Sequence, residues 1–139
     1  MVSQKGGGRG APAAFDDALF EADLLRVGGG GRAALRLARR RIEREGLTAD
    51  REGLTADQRW DCHAEHPGGT ELPGCKKTYV PGPGGRWRMV FQVARIADGR
   101  LGLVFVAAGV GHVPGGLRRD VYDLAHYRLH GRWPARRST

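Results

Sequence analysis

Two apolar segments, residues 87–94 and 101–108, are separated by a short polar stretch that contains Asp98 and Gly99. An Asp-Gly pair between β-branched and aromatic residues is a strong hairpin signal, because both central residues of a tight type I′ turn need positive φ angles. The two segments therefore predict a β-hairpin. Neither segment alternates cleanly between apolar and polar residues, so we expect both faces of the sheet to be covered, with helices on one side.

A shorter segment before the hairpin, residues 74–80, does alternate. It predicts a third strand with Lys77 and Tyr79 on one face and Lys76 and Thr78 on the other. Two of the three lysines of the chain lie here, so this strand places positive charge beside the hairpin.

The segment after the hairpin, residues 117–130, carries apolar residues at helical spacing. In the predicted helix, Arg118, Tyr122 and His126 lie four residues apart on one polar stripe. Gly131 is a typical residue to end a helix. The pattern therefore predicts a C-terminal helix with ionisable side chains along one stripe.

Helical spacing also predicts two helices before the hairpin, over residues 15–27 and 32–45. The second helix turns Leu35, Ala38 and Ile42 inward and carries arginines around the rest of its surface. These arginines either bind a polyanion or form a solvated helix face, and the pattern leaves both interpretations open. Taken together, the periodicities predict an α+β fold: an N-terminal helical hairpin packed on a small antiparallel β-sheet, followed by a C-terminal helix.

The domain organisation follows from the length and from local composition. A chain of 139 residues fits a single small domain. We expect a disordered or extended glycine-rich arm over residues 1–14, one α+β domain over 15–131 and a flexible basic tail over 132–139. A loop insertion at about residues 44–71 contains a heptapeptide that repeats once, which indicates a small duplication rather than a repeat protein.

The charge of the chain is strongly positive. It has 23 Lys and Arg against 15 Asp and Glu, a formal net charge of +8. Such a balance favours a polyanionic partner, because each neutralised phosphate releases counterions. No apolar run reaches the roughly 18 residues typical of a membrane span, and the N-terminus has no signal-peptide core. We therefore expect a cytoplasmic protein that does not contact a membrane.

Four residues suggest a zinc site: Cys62, His63, His66 and Cys75. Their spacing departs from the usual zinc patterns, and two adjacent residues do not easily reach one ion. We interpret Cys75 as a small buried apolar residue at the start of a strand. The sequence therefore predicts no metal and no other cofactor.

The ionisable residues around the hairpin suit the chemistry of RNA cleavage. Internal cleavage needs a base for the attacking 2′-hydroxyl, cations for the charge that develops on phosphorus, and an acid for the leaving 5′-oxygen. The candidate cations are Lys77, Arg88, Arg118 and Arg119. The candidate groups for proton transfer are Tyr79, His112 and Tyr122.

Five segments in this half of the chain resemble RelE-type toxins of the bacterial RelE/ParE toxin-antitoxin superfamily. They are residues 72–77 (LPGCKK), 86–93 (RWRMVFQV), 104–106 (VFV), 110–112 (VGH) and 118–122 (RRDVY). The resemblance covers about half of the chain and rests on the order of these segments. It implies a toxin that cleaves mRNA on the ribosome, using the 2′-hydroxyl as nucleophile and no metal. The implied partners are a cognate antitoxin, and mRNA and ribosomal RNA in the ribosomal A site.

The resemblance also implies roles for individual residues. Lys77 and Arg88 would hold the scissile phosphate and stabilise its transition state, and Tyr122 would be the base. The chain departs from the family pattern at Tyr79, which replaces a second lysine, and at His112, which replaces an arginine. The general acid is therefore left open between His112, Arg118 and Arg119. The further predicted RNA contacts are Arg36, Arg39, Arg40, Lys76, Tyr79, Arg86 and His126.

Two alternatives to a nuclease remain. A ParE-like protein would inhibit DNA gyrase through protein contacts and would not need Lys77, Arg88 and Tyr122 together. A nuclease-dead relative would bind RNA or serve only as a structural domain. A nuclease requires these three residues to converge on one open concavity, which separates it from both alternatives.

Overall fold

The computed structural model describes residues 11–47, 62–63, 71–72, 74–96, 99–111 and 120–133. The elements in chain order are β1 (Ala13–Ala14), α1 (Asp17–Arg26), α2 (Gly29–Glu45), β2 (Cys62–His63), β3 (Glu71–Leu72), β4 (Cys75–Val80), β5 (Trp87–Arg95), β6 (Leu101–Val110) and α3 (Val121–His130). Within these ranges the fold is α+β, with three helices, a four-stranded sheet and a separate pair of short strands. The predicted fold class is confirmed at this level.

The predicted hairpin is present. β5 and β6 are antiparallel neighbours, and β4 pairs antiparallel with β5 on the other side. Gly99 has a φ angle of 83° and donates its amide to the carbonyl of Ile96 at 2.7 Å. Gly99 thus has the positive φ angle that the Asp-Gly pair predicts for the turn. Asp98 lies outside the described residues.

The sheet is mixed rather than purely antiparallel, which corrects the prediction. Its strand order is β1-β6-β5-β4, and β1 runs parallel to β6 with Ala13 opposite Leu103. The carbonyl of Pro12 accepts a hydrogen bond from the amide of Leu103 at 2.8 Å. The last residues of the predicted N-terminal arm therefore form an ordered edge strand, because an apolar Pro-Ala-Ala segment fits against the outer edge of β6.

Helices cover both faces of the sheet, whereas we expected them on one side. One face packs against α1 and α2, and its buried residues include Phe20, Leu24, Leu35, Ala38, Ile42, Met89, Phe91, Leu103 and Phe105. The other face packs against α3, and its buried residues include Leu72, Cys75, Val90, Val106, Ala107, Val121, Tyr122 and Ala125. This arrangement explains why β5 and β6 do not alternate: neither face is left to water.

The first two helices differ from the prediction mainly at their starts. Asp16 caps α1 by accepting the amide of Leu19 at 3.0 Å, so the helix begins at Asp17 and not at Phe15. Phe15 instead packs its ring against three buried phenylalanine rings of the core. α2 begins earlier than predicted, at Gly29, and buries Leu35, Ala38 and Ile42 as predicted.

A buried ion pair joins α1, β6 and α3. Asp23 is completely buried, and its carboxylate accepts hydrogen bonds from Arg128 at 2.6 and 2.9 Å and from the amide of Ala108 at 2.8 Å. Arg128 also donates to the carbonyl of Val106 at 2.7 Å. β1 pairs with β6 at Leu103 and Val104, and no strand of the described sheet pairs with this edge of β6 after that point. The two bonds to Val106 and Ala108 therefore occupy backbone groups that would otherwise be unpaired on this edge. The pair thereby fixes α3 on the sheet.

The end of α3 is as predicted. Gly131 has a φ angle of 78° and follows the last helical residue. Asp120 caps the start of the helix by accepting the amides of Tyr122 and Asp123. The helix therefore begins at Val121 and not at Leu117 as predicted. Residues 117–119 lie outside the described residues, as does most of the predicted loop insertion. None of the described helices is both long enough and apolar enough to cross a lipid bilayer.

Candidate functional site

The register of β4 and β5 places three candidate side chains on one face. Lys77 lies opposite Val90, and Tyr79 lies opposite Arg88. Directly opposed residues of an antiparallel pair share a face, and residues two apart on a strand do the same. Lys77, Tyr79 and Arg88 therefore all lie on the face that α3 covers. The prediction that Lys77 and Tyr79 share one face of the strand is confirmed. The first turn of α3 adds Tyr122 to the same face.

These four side chains form one cluster, here called the cation–tyrosine cluster. The guanidinium carbon of Arg88 lies 4.0 Å from the ring centroid of Tyr79. The ammonium nitrogen of Lys77 lies 5.3 Å from the Tyr122 ring and 5.9 Å from the Tyr79 ring. Cations over aromatic faces at such distances gain about 0.5 to 2 kcal/mol each, the larger value when they are desolvated. Three candidates predicted to act together, Lys77, Arg88 and Tyr122, thus do converge.

The cluster is more enclosed than an open concavity. Lys77 is 1% exposed and Tyr122 is completely buried, including its hydroxyl oxygen. Arg88 and Tyr79 are only half-buried. The cause is the packing of α3, which presses its buried face onto β5 and β6. The expectation of an open concavity is therefore corrected: Arg88 and Tyr79 form the accessible side of the cluster, and Lys77 and Tyr122 lie beneath them.

Arg88 has an unusual hydrogen-bonding state. Its Nη1 donates to the carbonyl of Trp87 at 2.9 Å. Its Nε is buried and has no acceptor within the part of the chain that the structure describes. A buried donor without an acceptor costs about 1 to 3 kcal/mol.

Gly111 makes room for Arg88, a role that the sequence did not indicate. A Cβ atom at Gly111 would lie 2.8 Å from Cγ of Arg88 and 3.4 Å from the ring of Tyr122. Its amide donates to the carbonyl of Arg86 at 2.9 Å, which holds the end of β6 beside the start of β5. The only sequence signal was a glycine directly after an apolar strand. That signal does not specify which side chain the glycine accommodates.

Three other predicted RNA contacts are not part of the cluster. Lys76 faces the opposite side of the sheet, opposite Phe91 in the register, and is only 5% exposed. Strand alternation therefore separates Lys76 from Lys77, although both were predicted to contact RNA. His126 lies one turn further along α3 than Tyr122, and its Nδ1 is 3.0 Å from the carbonyl oxygen of Arg132. Arg86 is exposed, just before β5.

The arginines of α2 lie on the other side of the sheet from the cluster. Arg39 binds the carboxylates of Asp17 and Glu43 and lies over the rings of Phe15 and Phe20 at 4.8 and 5.0 Å. Burial lowers the pKa of Arg39, but its hydrogen bonds to Asp17 and then Glu43 outweigh that effect, so the pKa is raised. Arg39 is therefore engaged within the fold.

The neighbouring arginines are more available. Arg36 is half-exposed and lies 3.5 Å from the carboxylate of Glu21. Arg40 is exposed. Because α2 and α3 cover opposite faces of the sheet, these arginines form a surface distinct from the cation–tyrosine cluster.

Several candidates lie outside the described residues. They are His66, His112, Arg118 and Arg119. Cys62 and His63 are described only as backbone of β2. Within the described ranges, no group of three or more His, Cys, Asp or Glu side chains is arranged to hold a metal ion.

Cys75 is a free thiol packed under α3. It is completely buried, and burial raises its pKa from 9.0 to about 11. The interpretation of Cys75 as a small buried apolar residue is confirmed. A thiol that stays protonated at neutral pH is a poor nucleophile and a poor metal ligand.

Comparison with known proteins gives no matching family model, no similar curated protein and no similar solved structure. The class of the protein is therefore defined by its own fold and site. It is a basic α+β domain in which two cations and two tyrosines, from two strands and one helix, meet under a covering helix.

Proposed function

We propose that the protein is a RelE-like toxin with the RelE/ParE arrangement of elements, and that it cleaves mRNA in the ribosomal A site. The observation that carries this proposal is the convergence of Lys77, Arg88, Tyr79 and Tyr122 on one face of the sheet. The sequence predicted these residues to take part in phosphate chemistry. They come from three elements, β4, β5 and α3, and their charged groups and rings lie close together. The proposal includes a cognate antitoxin that neutralises the protein.

The accessible half of the cluster contacts the phosphodiester in this proposal. Arg88 donates to a non-bridging phosphate oxygen, since its side chain is half-buried and lies against the half-buried ring of Tyr79. The ring of Tyr79 packs against the guanidinium group, with the guanidinium carbon 4.0 Å from the ring centroid, and so keeps it in position. The positive charge of Arg88 stabilises the charge that grows on the phosphate in the transition state, and this stabilisation is more effective in a partly dry site than in water.

The chemical step is an in-line transfer within the RNA. The 2′-oxygen attacks the adjacent phosphorus, the bond from phosphorus to the 5′-oxygen breaks, and the products carry a 2′,3′-cyclic phosphate and a 5′-hydroxyl. A base takes the proton of the 2′-hydroxyl, and an acid returns one to the 5′-oxygen. We assign the role of base to Tyr79, because its side chain is only half-buried. Lys77 and Tyr122 lie deeper in the cluster, and we assign them the role of holding the Tyr79 side chain in position.

The test is single-turnover cleavage of mRNA positioned on ribosomes, with protein in excess. Arg88→Ala should lower the cleavage rate by about 10² to 10³-fold at saturation, because it removes a donor to the developing charge. Arg95→Ala is the matched control: Arg95 is exposed on the same strand and donates to the carbonyl of Gly99 at 2.9 Å. The control should cleave like the wild type. Equal rates for wild type and Arg88→Ala would contradict the proposal.

The same assay assigns the base. Tyr79→Phe keeps the ring under Arg88 and removes the hydroxyl, and we expect a loss of about 10² to 10⁴-fold in rate. Tyr122→Phe keeps the ring beside Lys77 and should change the rate little. The opposite result would make Tyr122 the base, as the family resemblance implies, and would require α3 to move away during the reaction.

Burial favours a second candidate, an RNA-binding relative without nuclease activity. Lys77 and the hydroxyl of Tyr122 are enclosed by α3, where RNA does not reach them. Under this alternative the wild type binds ribosomes or RNA without cutting, and Arg88→Ala weakens binding alone. Tight binding to DNA gyrase without RNA binding would instead favour the ParE-like alternative.

A further inference from the structure

A second concave surface lies on the other side of the first turn of α3. It is a groove of about 590 Å³ between the end of α1, the end of β6 and α3. Val110 contributes to its floor, and Val121 and Leu124 to one wall. Tyr122, the next residue after Val121, faces the cation–tyrosine cluster instead. The first turn of α3 therefore separates the groove from the cluster.

Two stacked aromatic rings border this groove. Tyr127 and Trp133 lie with ring centroids 4.6 Å apart and an interplanar angle of 19°. They remain 42% and 40% exposed, although Tyr and Trp rings gain most from burial. Stacked, exposed aromatic rings are the surface on which unpaired nucleobases bind in proteins that recognise single-stranded RNA.

The charge at the groove suits the same ligand. Arg26 lines it and leaves half of its side chain exposed, with one guanidinium nitrogen bound to Asp23 at 2.6 Å. Arg128 also lines it, but its guanidinium is bound to Asp23 and to the carbonyl of Val106. The carboxylate of Asp120 lies at the groove too, where it accepts two amides of the α3 N-terminus. Arg26 is thus the cation available to a phosphate.

The floor of the groove offers backbone hydrogen-bonding groups. The amide of Ala108 points to the outer edge of β6, where Asp23 accepts it. Residues two apart on a strand direct their amide and carbonyl groups to the same side, so those of Val110 point to the same edge. Val110 lines the groove. A base edge that enters the groove therefore meets one donor and one acceptor of the backbone.

We propose that this groove binds an unpaired nucleobase of single-stranded RNA, stacked on Tyr127 and Trp133, with the adjoining phosphate on Arg26. The inference rests on the proposed action on RNA but requires no cleavage. It adds a subsite that positions the strand while the cation–tyrosine cluster acts on a neighbouring phosphodiester. An acidic peptide is the competing occupant, and the test includes it.

The test measures binding of the full chain to a short, unstructured, fluorescently labelled oligoribonucleotide by anisotropy. Trp133→Ala should weaken binding roughly 5- to 100-fold, the usual effect of losing one base–aromatic stack. Trp133→Phe retains an aromatic face and should restore most of the affinity. Leu37→Ala is the control, because Leu37 is an exposed apolar residue, 62% exposed, on the opposite side of the sheet.

An abasic oligomer with the same number of phosphates separates stacking from charge. It should bind the wild type more weakly than RNA does, and Trp133→Ala should leave its affinity unchanged. Equal RNA affinity of Trp133→Ala and wild type, or equal affinity of the wild type for RNA and abasic oligomer, would overturn the inference. A polyglutamate peptide that displaces RNA from the wild type, and binds Trp133→Ala more weakly, would assign the groove to a peptide.

The outcome for the groove is separable from that for the cation–tyrosine cluster. If Arg88→Ala abolishes cleavage while Trp133→Ala binds RNA normally, the proposed function stands and the nucleobase subsite falls. If Trp133→Ala binds RNA poorly and the wild type does not cleave, the subsite stands on a protein that binds RNA without cutting it.

Discussion

At the scale of single residues, the unusual feature is a lysine ammonium enclosed between two tyrosine rings. Taking a charge out of water costs several kcal/mol unless other groups compensate. Here the faces of Tyr79 and Tyr122 supply the attraction, at 5.9 and 5.3 Å from the nitrogen of Lys77. Arg88 adds a second cation over Tyr79.

Gly111 should be as important to this site as the charged residues. Gly111→Ala places a Cβ 2.8 Å from Cγ of Arg88, so the arginine must shift away from Tyr79. We expect cleavage or RNA binding to fall by about tenfold or more, since small misplacements of a catalytic group have large effects on rate. Gly109→Ala is the matched control, because its Cβ would meet Val121 at an ordinary 3.7 Å. Equal activity of the two variants would contradict this role for Gly111.

Cys75 makes stability depend on pH at the alkaline end. Burial raises its pKa from 9.0 to about 11. Well below pH 9 the thiol is neutral in the folded and the unfolded chain and has no effect on stability. As pH rises from about 9 to 11 the unfolded chain loses the proton first, so the free energy of unfolding should fall, by about 2 to 3 kcal/mol in all.

The measurement for Cys75 is urea unfolding at several pH values, compared with Cys75→Ala. Other groups titrate in the same range, so the informative quantity is the difference between the two proteins. That difference should shift in favour of Cys75→Ala as pH rises through this window. A difference that does not change with pH would show that the folded chain ionises this thiol as readily as the unfolded one.

At the scale of elements, the Asp23 and Arg128 pair decides where α3 lies. The pair makes two hydrogen bonds to the backbone edge of β6: the amide of Ala108 donates to Asp23 of α1, and Arg128 of α3 donates to the carbonyl of Val106. The same bonds cover an unpaired strand edge, which otherwise invites pairing with another chain. The ion pair therefore serves both orientation and solubility.

Arg128→Met should destabilise the protein by about 3 kcal/mol, because it leaves the carboxylate of Asp23 buried with Arg26 as its remaining charged partner. The measurement is urea unfolding, with Arg40→Met as control for loss of an exposed arginine. The double variant Asp23→Leu with Arg128→Met should be more stable than Arg128→Met alone, since it buries no unpaired charge. An Arg128→Met variant as stable as Arg40→Met would show that the pair contributes little.

At the scale of the whole molecule, positive charge is distributed over separate surfaces. The net charge is +8. Exposed arginines lie on α2, the cation–tyrosine cluster lies on the α3 side of the sheet, and the groove lies between the end of α1, the end of β6 and α3. Under the proposed function, these separate surfaces would contact RNA on more than one side of the protein. Arg39 is an exception, because its charge is already matched by Asp17 and Glu43.

Binding to RNA should therefore weaken steeply with salt. Each phosphate contact to single-stranded RNA contributes about 0.7 to the slope of log affinity against log salt. Arg40→Ala should lower this slope by less than about 1 without changing stability. Arg39→Ala should chiefly lower stability, because Arg39 ties α1 to α2. Binding that does not respond to salt would contradict recognition through phosphates.

Much of the fold was predictable because it depends on local pattern. The pairing of β5 with β6 followed from Asp98-Gly99 and two apolar segments, and the inward face of α2 followed from Leu35, Ala38 and Ile42. The parallel edge strand Ala13–Ala14 was not predictable. Two alanines have no strand signal of their own, and they are ordered only by the edge of β6 that they meet.

The sequence by itself determined the order of the three helices and of strands β4, β5 and β6, the positive charge and the residue types suited to phosphate chemistry, because periodicity and composition are properties of neighbouring residues. Only the tertiary structure decided that α3 covers the face carrying Lys77, Tyr79 and Arg88, that it brings Tyr122 to this face, and that Gly111 makes room for Arg88. Burial and close approach depend on which elements pack together over long separations in the chain. A local pattern specifies the faces of each element but does not specify which face of another element covers them.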